Sequence, residues 1–227
     1  MLSRLPPATR YLLIVNIVCS LIVILMTKWH VPAGLRWFAL WPWLPGEPWA
    51  SQAFMPWQPI THAFLHADPV HLMLNMLGLA MFGAVLESEW GTRRFLVFYG
   101  VCVLGAALCQ FALATWMVEA QGRVAYALGA SGGIYGLLVA FGWLFPNDRM
   151  GLFFVPTTFK ARYFVVGLIA LQLALALFGG DTGESHVAHL GGAAFGALLI
   201  LYWRRDRTRP PQGPSPRRRR SHLRVVR

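Results

Sequence analysis

The feature that most limits what this chain can become is a set of six apolar runs carrying almost no charge. They fall at residues 11–27, 70–86, 95–117, 131–145, 163–179 and 187–203. A helix rises about 1.5 Å per residue. Some twenty mostly apolar residues therefore cross a hydrocarbon core of about 30 Å, and each run comes close to that length. Charged residues make up 13% of the chain and hydrophobic ones 56%, where a soluble domain carries roughly a quarter charged. The expected architecture is all-α, a polytopic membrane bundle of six transmembrane helices over residues 1–203. No soluble domain fits in what remains, and no repeat is evident.

The net charge of +11 is unevenly placed. Arg204, Arg205, Arg207, Arg209, Arg217, Arg218, Arg219, Arg220, Arg224 and Arg227 form a Pro-rich basic tail over 204–227. Its composition is that of a disordered segment. Lying directly after an apolar run, it reads as a cytoplasmic segment held to anionic membrane lipid, not as a nucleic-acid binder. Cytoplasmic segments carry the excess of Lys and Arg. With both termini cytoplasmic, the inner side holds Arg4, Arg10, Arg93, Arg94, Arg149, Lys160, Arg162 and the ten tail arginines. The outer loops hold Lys28, Arg36 and Arg123. Seventeen against three fixes the expected orientation. No small-residue cleavage site follows the first run, which is therefore expected to remain as a span.

The first outer connection, 28–69, holds Trp29, Trp37, Trp41, Trp43, Trp49 and Trp57. Tryptophan favours the headgroup region, so this loop is expected in the outer leaflet; a partly buried lid on the bundle is an equal and compatible reading. Cys19, Cys102 and Cys109 lie in apolar runs without metal-ligand spacing. They read as small apolar fillers.

Polar groups inside spans mark function by default. His71 and Asn75 lie one turn apart at the start of the second span, Ser131 opens the fourth within Gly129-Ala130-Ser131-Gly132-Gly133, and His186 and His189 open the sixth. All three spans start from the outer side, so these groups converge at one depth. The run from Ser131 to Phe145 is about 21 Å long, which sets Ser131 about 10 Å below the outer surface and requires a water-filled cavity opening outward. Amide hydrolysis needs an activated nucleophile, a base and oxyanion donors. Ser131 offers the hydroxyl at a helix N-terminus. His189, buried and neutral, offers a base, with His186 on roughly the same face as its rival. His71, Asn75 and the Ser131 N–H offer an oxyanion hole, and Tyr135 could stack on the imidazole. With no acid at this depth, a Ser-His dyad fits better than a triad. Gly132–Gly136 and Gly192–Gly196 are small-xxx-small pairs that would let the fourth and sixth spans touch. Helix packing explains those glycines equally well by itself.

Other functions fit less of the pattern. His62-x-x-x-His66 suggests a histidine-box metal oxygenase, but no acidic ligand accompanies it. Both histidines are expected to bond loop backbone or each other, with no metal and no cofactor. A catalytically silent protein that holds membrane clients would lack the serine or the histidine. A transporter would carry span-embedded acids or broken helices.

Taken together, His62-Ala-Phe-Leu-His66, His71-Leu-Met-Leu-Asn75, Gly129-Ala-Ser131-Gly-Gly-Ile-Tyr135-Gly136 and Ala188-His189-Leu-Gly-Gly192-x-x-x-Gly196 resemble the rhomboid intramembrane serine proteases over about residues 55–200. The resemblance implies Ser131 as nucleophile, His189 as general base, an oxyanion hole from His71, Asn75 and the Ser131 amide, and Tyr135 against His189. Its glycines three and seven residues after the base select His189 over His186. It makes Glu87 an organiser of the cytoplasmic helix ends. Its substrates are single-span membrane proteins cut near the outer end of their helix. Trp57-Gln58 departs from the family's Trp-Arg, removing the arginine that braces the first loop. The form implied is the basic six-helix bacterial one, in a bacterial cell membrane, with both termini cytoplasmic and the site open to the outer side. Span five, with Gln172 as its one polar group, is a candidate for the helix that moves to admit substrate.

Overall fold

The structure is a computed structural model that describes residues 4–28, 33–44, 54–151, 158–179 and 183–207. Its helices follow the apolar runs. Helix α1 covers Pro7–Lys28, and two short helices, α2 (Ala33–Phe38) and α3 (Gln58–Thr61), lie in the first connection. Helix α4 (Pro69–Gly78) continues through a π-helical turn at Leu79–Gly83 into α5 (Ala84–Trp90). Then come α6 (Thr92–Gln121), α7 (Ser131–Leu144), α8 (Ala161–Phe178) and α9 (Gly183–Arg207).

This is a polytopic helical membrane bundle. Among the described residues, five helical segments are long and apolar enough to cross a bilayer. Ser131–Leu144 is apolar but shorter: its 14 residues rise about 21 Å, less than a hydrocarbon core of about 30 Å. Six spans were expected; among the described residues five reach this length, and α7 is the apolar run that is shorter. A small antiparallel ribbon, β1 (Arg149–Gly151) with β2 (Thr158–Lys160), joins α7 to α8 and was not foreseen. The basic tail was expected from residue 204, whereas α9 runs on to Arg207; residues 208–227 lie outside those described.

Helices α6, α7 and α9 form the centre, with α8 against α9 and α7, and α1 against the α4–α5 segment. Phe95, Phe98, Leu79, Leu86 and Leu137 are completely buried among them. Without a hydrophobic drive between helices in lipid, close backbone approach carries the packing. A Cβ on Gly192 would run into the carbonyl of Gly132, and one on Gly196 would come within 3.2 Å of the Gly136 Cα. The two glycine pairs thus face each other along α7 and α9. Cys102 packs beside Gly136 and Gly196, and Cys109 beside Gly191.

At the end of the bundle away from Ser131, Glu87 gathers three elements. It accepts hydrogen bonds from the N–H groups of Ala8 (2.9 Å) and Thr9 (2.7 Å) and from the hydroxyls of Thr9 (2.8 Å) and Thr92 (2.7 Å). The first turn of α1 contains no acid of its own, so Glu87 supplies the negative charge that a helix N-terminus favours.

The first connection is braced despite the missing arginine. Gln58 is fully buried. Its Oε1 accepts from the N–H groups of Trp41 (3.2 Å) and Met55 (3.1 Å), and its Nε2 donates to the Arg36 carbonyl (3.3 Å). Trp41 is buried, while Trp37, Trp43 and Trp57 are exposed, so the loop is partly lid and partly aromatic surface. Trp29 and Trp49 lie outside the described residues.

Candidate active site

Each polar residue singled out in the sequence sits at a position set by local chemistry. Asp68 caps α4, its Oδ1 accepting from the N–H groups of Val70 (2.8 Å) and His71 (2.9 Å). Such a cap satisfies donors that the first turn leaves unpaired. These bonds, led by the one from His71, hold the Asp68 carboxyl below its usual range. The α4 register is thereby fixed, and His71 is aimed at Gly129. A Cβ on Gly129 would fall 2.9 Å from the His71 Nε2 and 3.7 Å from the Ser131 hydroxyl. Gly129 also holds a φ of +120°, which L side chains rarely adopt, and its N–H donates to the His62 carbonyl at 2.9 Å. Glycine is needed here twice over, for the turn into α7 and for the approach of His71.

Ser131 is the first residue of α7. Its Oγ lies 2.8 Å from His189 Nε2. The His189 ring stacks on Tyr135 at 4.4 Å between centroids and 12° between planes. His186 does not reach Ser131; its Nδ1 contacts Gln172 Oε1. Asn75 is buried, and its Nδ2 donates to the His71 carbonyl of its own helix at 2.9 Å. That bond uses one of the two N–H groups of its amide. His62 bonds the Gln58 carbonyl through Nδ1 at 3.0 Å, and His66 Nδ1 lies 2.8 Å from the Ser20 hydroxyl. The two do not bond each other.

The site residue that sequence reasoning missed is Gln172. Noted only as the one polar group of the fifth span, it lies buried at the centre of the cluster. Its Oε1 sits 3.0 Å from His189 Nδ1, and its Nε2 donates to the Tyr135 hydroxyl at 2.6 Å. The signal was available, since an isolated amide in an apolar span needs partners. What no spacing revealed was which partners.

A serine hydroxyl against an imidazole nitrogen, with the other nitrogen held by an amide oxygen, can carry out nucleophilic chemistry without a metal. Comparison with known proteins agrees in class. Residues 53–206 match the rhomboid domain family, so the chain belongs to the rhomboid family, whose members are in general intramembrane serine proteases. It is 28% identical over 215 residues to presenilin-associated rhomboid-like protein A, mitochondrial, of Danio rerio, covering 88% of this chain and 54% of that protein. It is 33% identical over 144 residues to Rhomboid protein 1, mitochondrial, of Saccharomyces cerevisiae, covering 63% and 40%. To RHOMBOID-like protein 12, mitochondrial, of Arabidopsis thaliana it is 30% identical over 161 residues, covering 66% and 47%. The chain thus spans about half the length of these relatives, or less.

These names correct one expectation. The chain was placed in a bacterial cell membrane with cytoplasmic termini, whereas the relatives are mitochondrial proteins. The physical reason is simple. A loop-charge count orients a chain across whichever bilayer receives it and carries no mark of the membrane itself.

Proposed function

We propose that this protein is an intramembrane serine endopeptidase that cleaves transmembrane segments of membrane-protein substrates near the site-bearing end of the bundle. The observation that carries this reading is the 2.8 Å contact between Ser131 Oγ and His189 Nε2, formed between two helices whose glycines allow them to meet.

In this reading His189 Nε2 takes the Ser131 proton as the oxygen attacks the scissile carbonyl. The same proton then passes to the leaving amine, giving an acyl-enzyme that water hydrolyses by the reverse relay. The oxyanion is met by His71 and by the Ser131 N–H, one of the first-turn donors that α7 itself cannot satisfy. Asn75 joins them with the second N–H of its amide. Tyr135 keeps the imidazole in plane. The substrate must be locally unwound, because a helix hides its carbonyls in internal hydrogen bonds. Small residues that loosen a substrate helix favour cleavage there. The relatives' names favour a mitochondrial location. The basic residues of 204–227 would rest on anionic lipid.

A fluorophosphonate probe tests the reading. Wild-type protein in detergent or liposomes should be labelled covalently and Ser131→Ala should not. His189→Ala should abolish cleavage, and His186→Ala should leave most of it. An unlabelled wild type, or equal labelling of Ser131→Ala, would refute the proposal and favour a silent client-binding protein.

A further inference from the structure

Resting on the serine-protease reading, we infer that Gln172 is a positioning residue that sets the tautomer of His189, replacing by an amide oxygen what a carboxylate does in a three-residue relay. The inference starts from hydrogen-bond accounting. An amide oxygen only accepts, and an amide nitrogen only donates. Gln172 Oε1 faces the Nδ1 atoms of both His189, at 3.0 Å, and His186. Each of those nitrogens must therefore carry its proton. A neutral imidazole protonated at Nδ1 has a lone pair at Nε2, and His189 Nε2 is the atom 2.8 Å from Ser131 Oγ. The hydroxyl proton then points at an acceptor.

Turning the Gln172 amide over would reverse every step. Its N–H groups would face Nδ1, the ring proton would move to Nε2, and Ser131 would meet a donor where it needs a base. With Oε1 turned to the two imidazoles, Gln172 Nε2 donates to the Tyr135 hydroxyl at 2.6 Å, and the Tyr135 ring stacks on His189, so one amide joins the three helices at the base. When His189 becomes an imidazolium during attack, Nδ1–H remains bonded to the carbonyl dipole of Gln172, which offsets part of the new charge. A single-span sequence could not show this, because Gln172 is on α8, His189 on α9 and Tyr135 on α7.

The test uses the full chain in detergent or proteoliposomes. Imidazole 15N chemical shifts of His189 read the tautomer without any need for turnover. Wild type should show a protonated Nδ1, and Gln172→Leu should show a mixture of tautomers. In cleavage assays Gln172→Leu should lose kcat about tenfold or more with KM little changed, while keeping its thermal unfolding midpoint. Gln172→Glu restores an acceptor for Nδ1–H. It should recover most of kcat and move the acid limb of the pH–rate profile to higher pH by about one unit, since a nearby carboxylate favours the imidazolium. Among the described residues, His186, Tyr135 and His71 are the other titratable groups around this cluster and are unchanged in both variants. The inference is overturned if Gln172→Leu keeps the Nδ1–H tautomer or wild-type kcat. It is also overturned if Leu and Glu variants fall equally with no displacement of the acid limb. A tautomer change in a protein that cleaves nothing would leave the inference standing and remove the protease reading instead.

Discussion

His66 shows how one buried side chain ties the site end of the bundle to pH. It is 1% exposed, its Nδ1 lies 2.8 Å from Ser20 Oγ, and Ser20 in turn donates to the Phe64 carbonyl at 3.1 Å. Burial pushes the imidazole down to about 3, with neighbouring His71 adding to the effect and Asp68 opposing it. Burial likewise lowers His62 to about 4. Both groups take up a proton near 6.5 once unfolded, so the unfolded chain binds more protons throughout the interval between. Stability should therefore be full above about pH 6.5 and fall as pH drops towards 4 and then 3. Unfolding midpoints in detergent across that range check the sign, and His66→Gln should flatten the lower part of the curve. A wild-type midpoint unchanged between pH 7 and 4 would contradict the account.

At the scale of elements, the register between α7 and α9 decides whether Ser131 and His189 can meet. Gly192 abuts the backbone carbonyl of Gly132, and backbone cannot move aside as a flexible side chain could. Gly192→Ala should force the helices apart and cost about 1–3 kcal/mol, the usual range for overpacking a filled core. The same displacement should lengthen the Ser131–His189 contact, so activity should fall further than the unfolding midpoint suggests. Gly167 provides the control, because a Cβ there meets nothing within 4 Å. Gly167→Ala should leave both readouts near wild type. If the two variants behave alike, the close approach is not what holds the pair.

Across the whole molecule, packing is uneven. Helices α6, α7 and α9 share the densest contacts, whereas α8 buries only Ala161, Val165 and Gln172. Regions with few buried contacts open at low free energy. Amides of α8 should exchange with solvent faster than those of α7 in detergent micelles, and equal protection would show α8 to be a full member of the core. Among the described residues, Gln172 is the buried polar tie from α8 to the centre. Losing it should raise α8 exchange selectively, leaving α6 and α9 as they were.

The sequence by itself determined the class of fold, because apolar runs near the length of a bilayer crossing leave a chain little choice but helices in lipid. It also determined which polar residues stand out, since every hydroxyl, imidazole or amide in such a run is conspicuous. Helix starts were legible to within a few residues from where the apolar runs begin, at 70 and 131 against Pro69 and Ser131 in the structure. Three things needed the tertiary structure. Gln172 acquired partners only when α7, α8 and α9 came together. Gln58 became a brace only when Trp41, Met55 and Arg36 folded around it. Asn75 turned to its own helix, a rotamer choice that spacing does not encode. The reason is common to all three. Periodicity fixes which face of an element a side chain occupies, whereas a hydrogen bond of 3 Å or so depends on how separate elements are placed against one another.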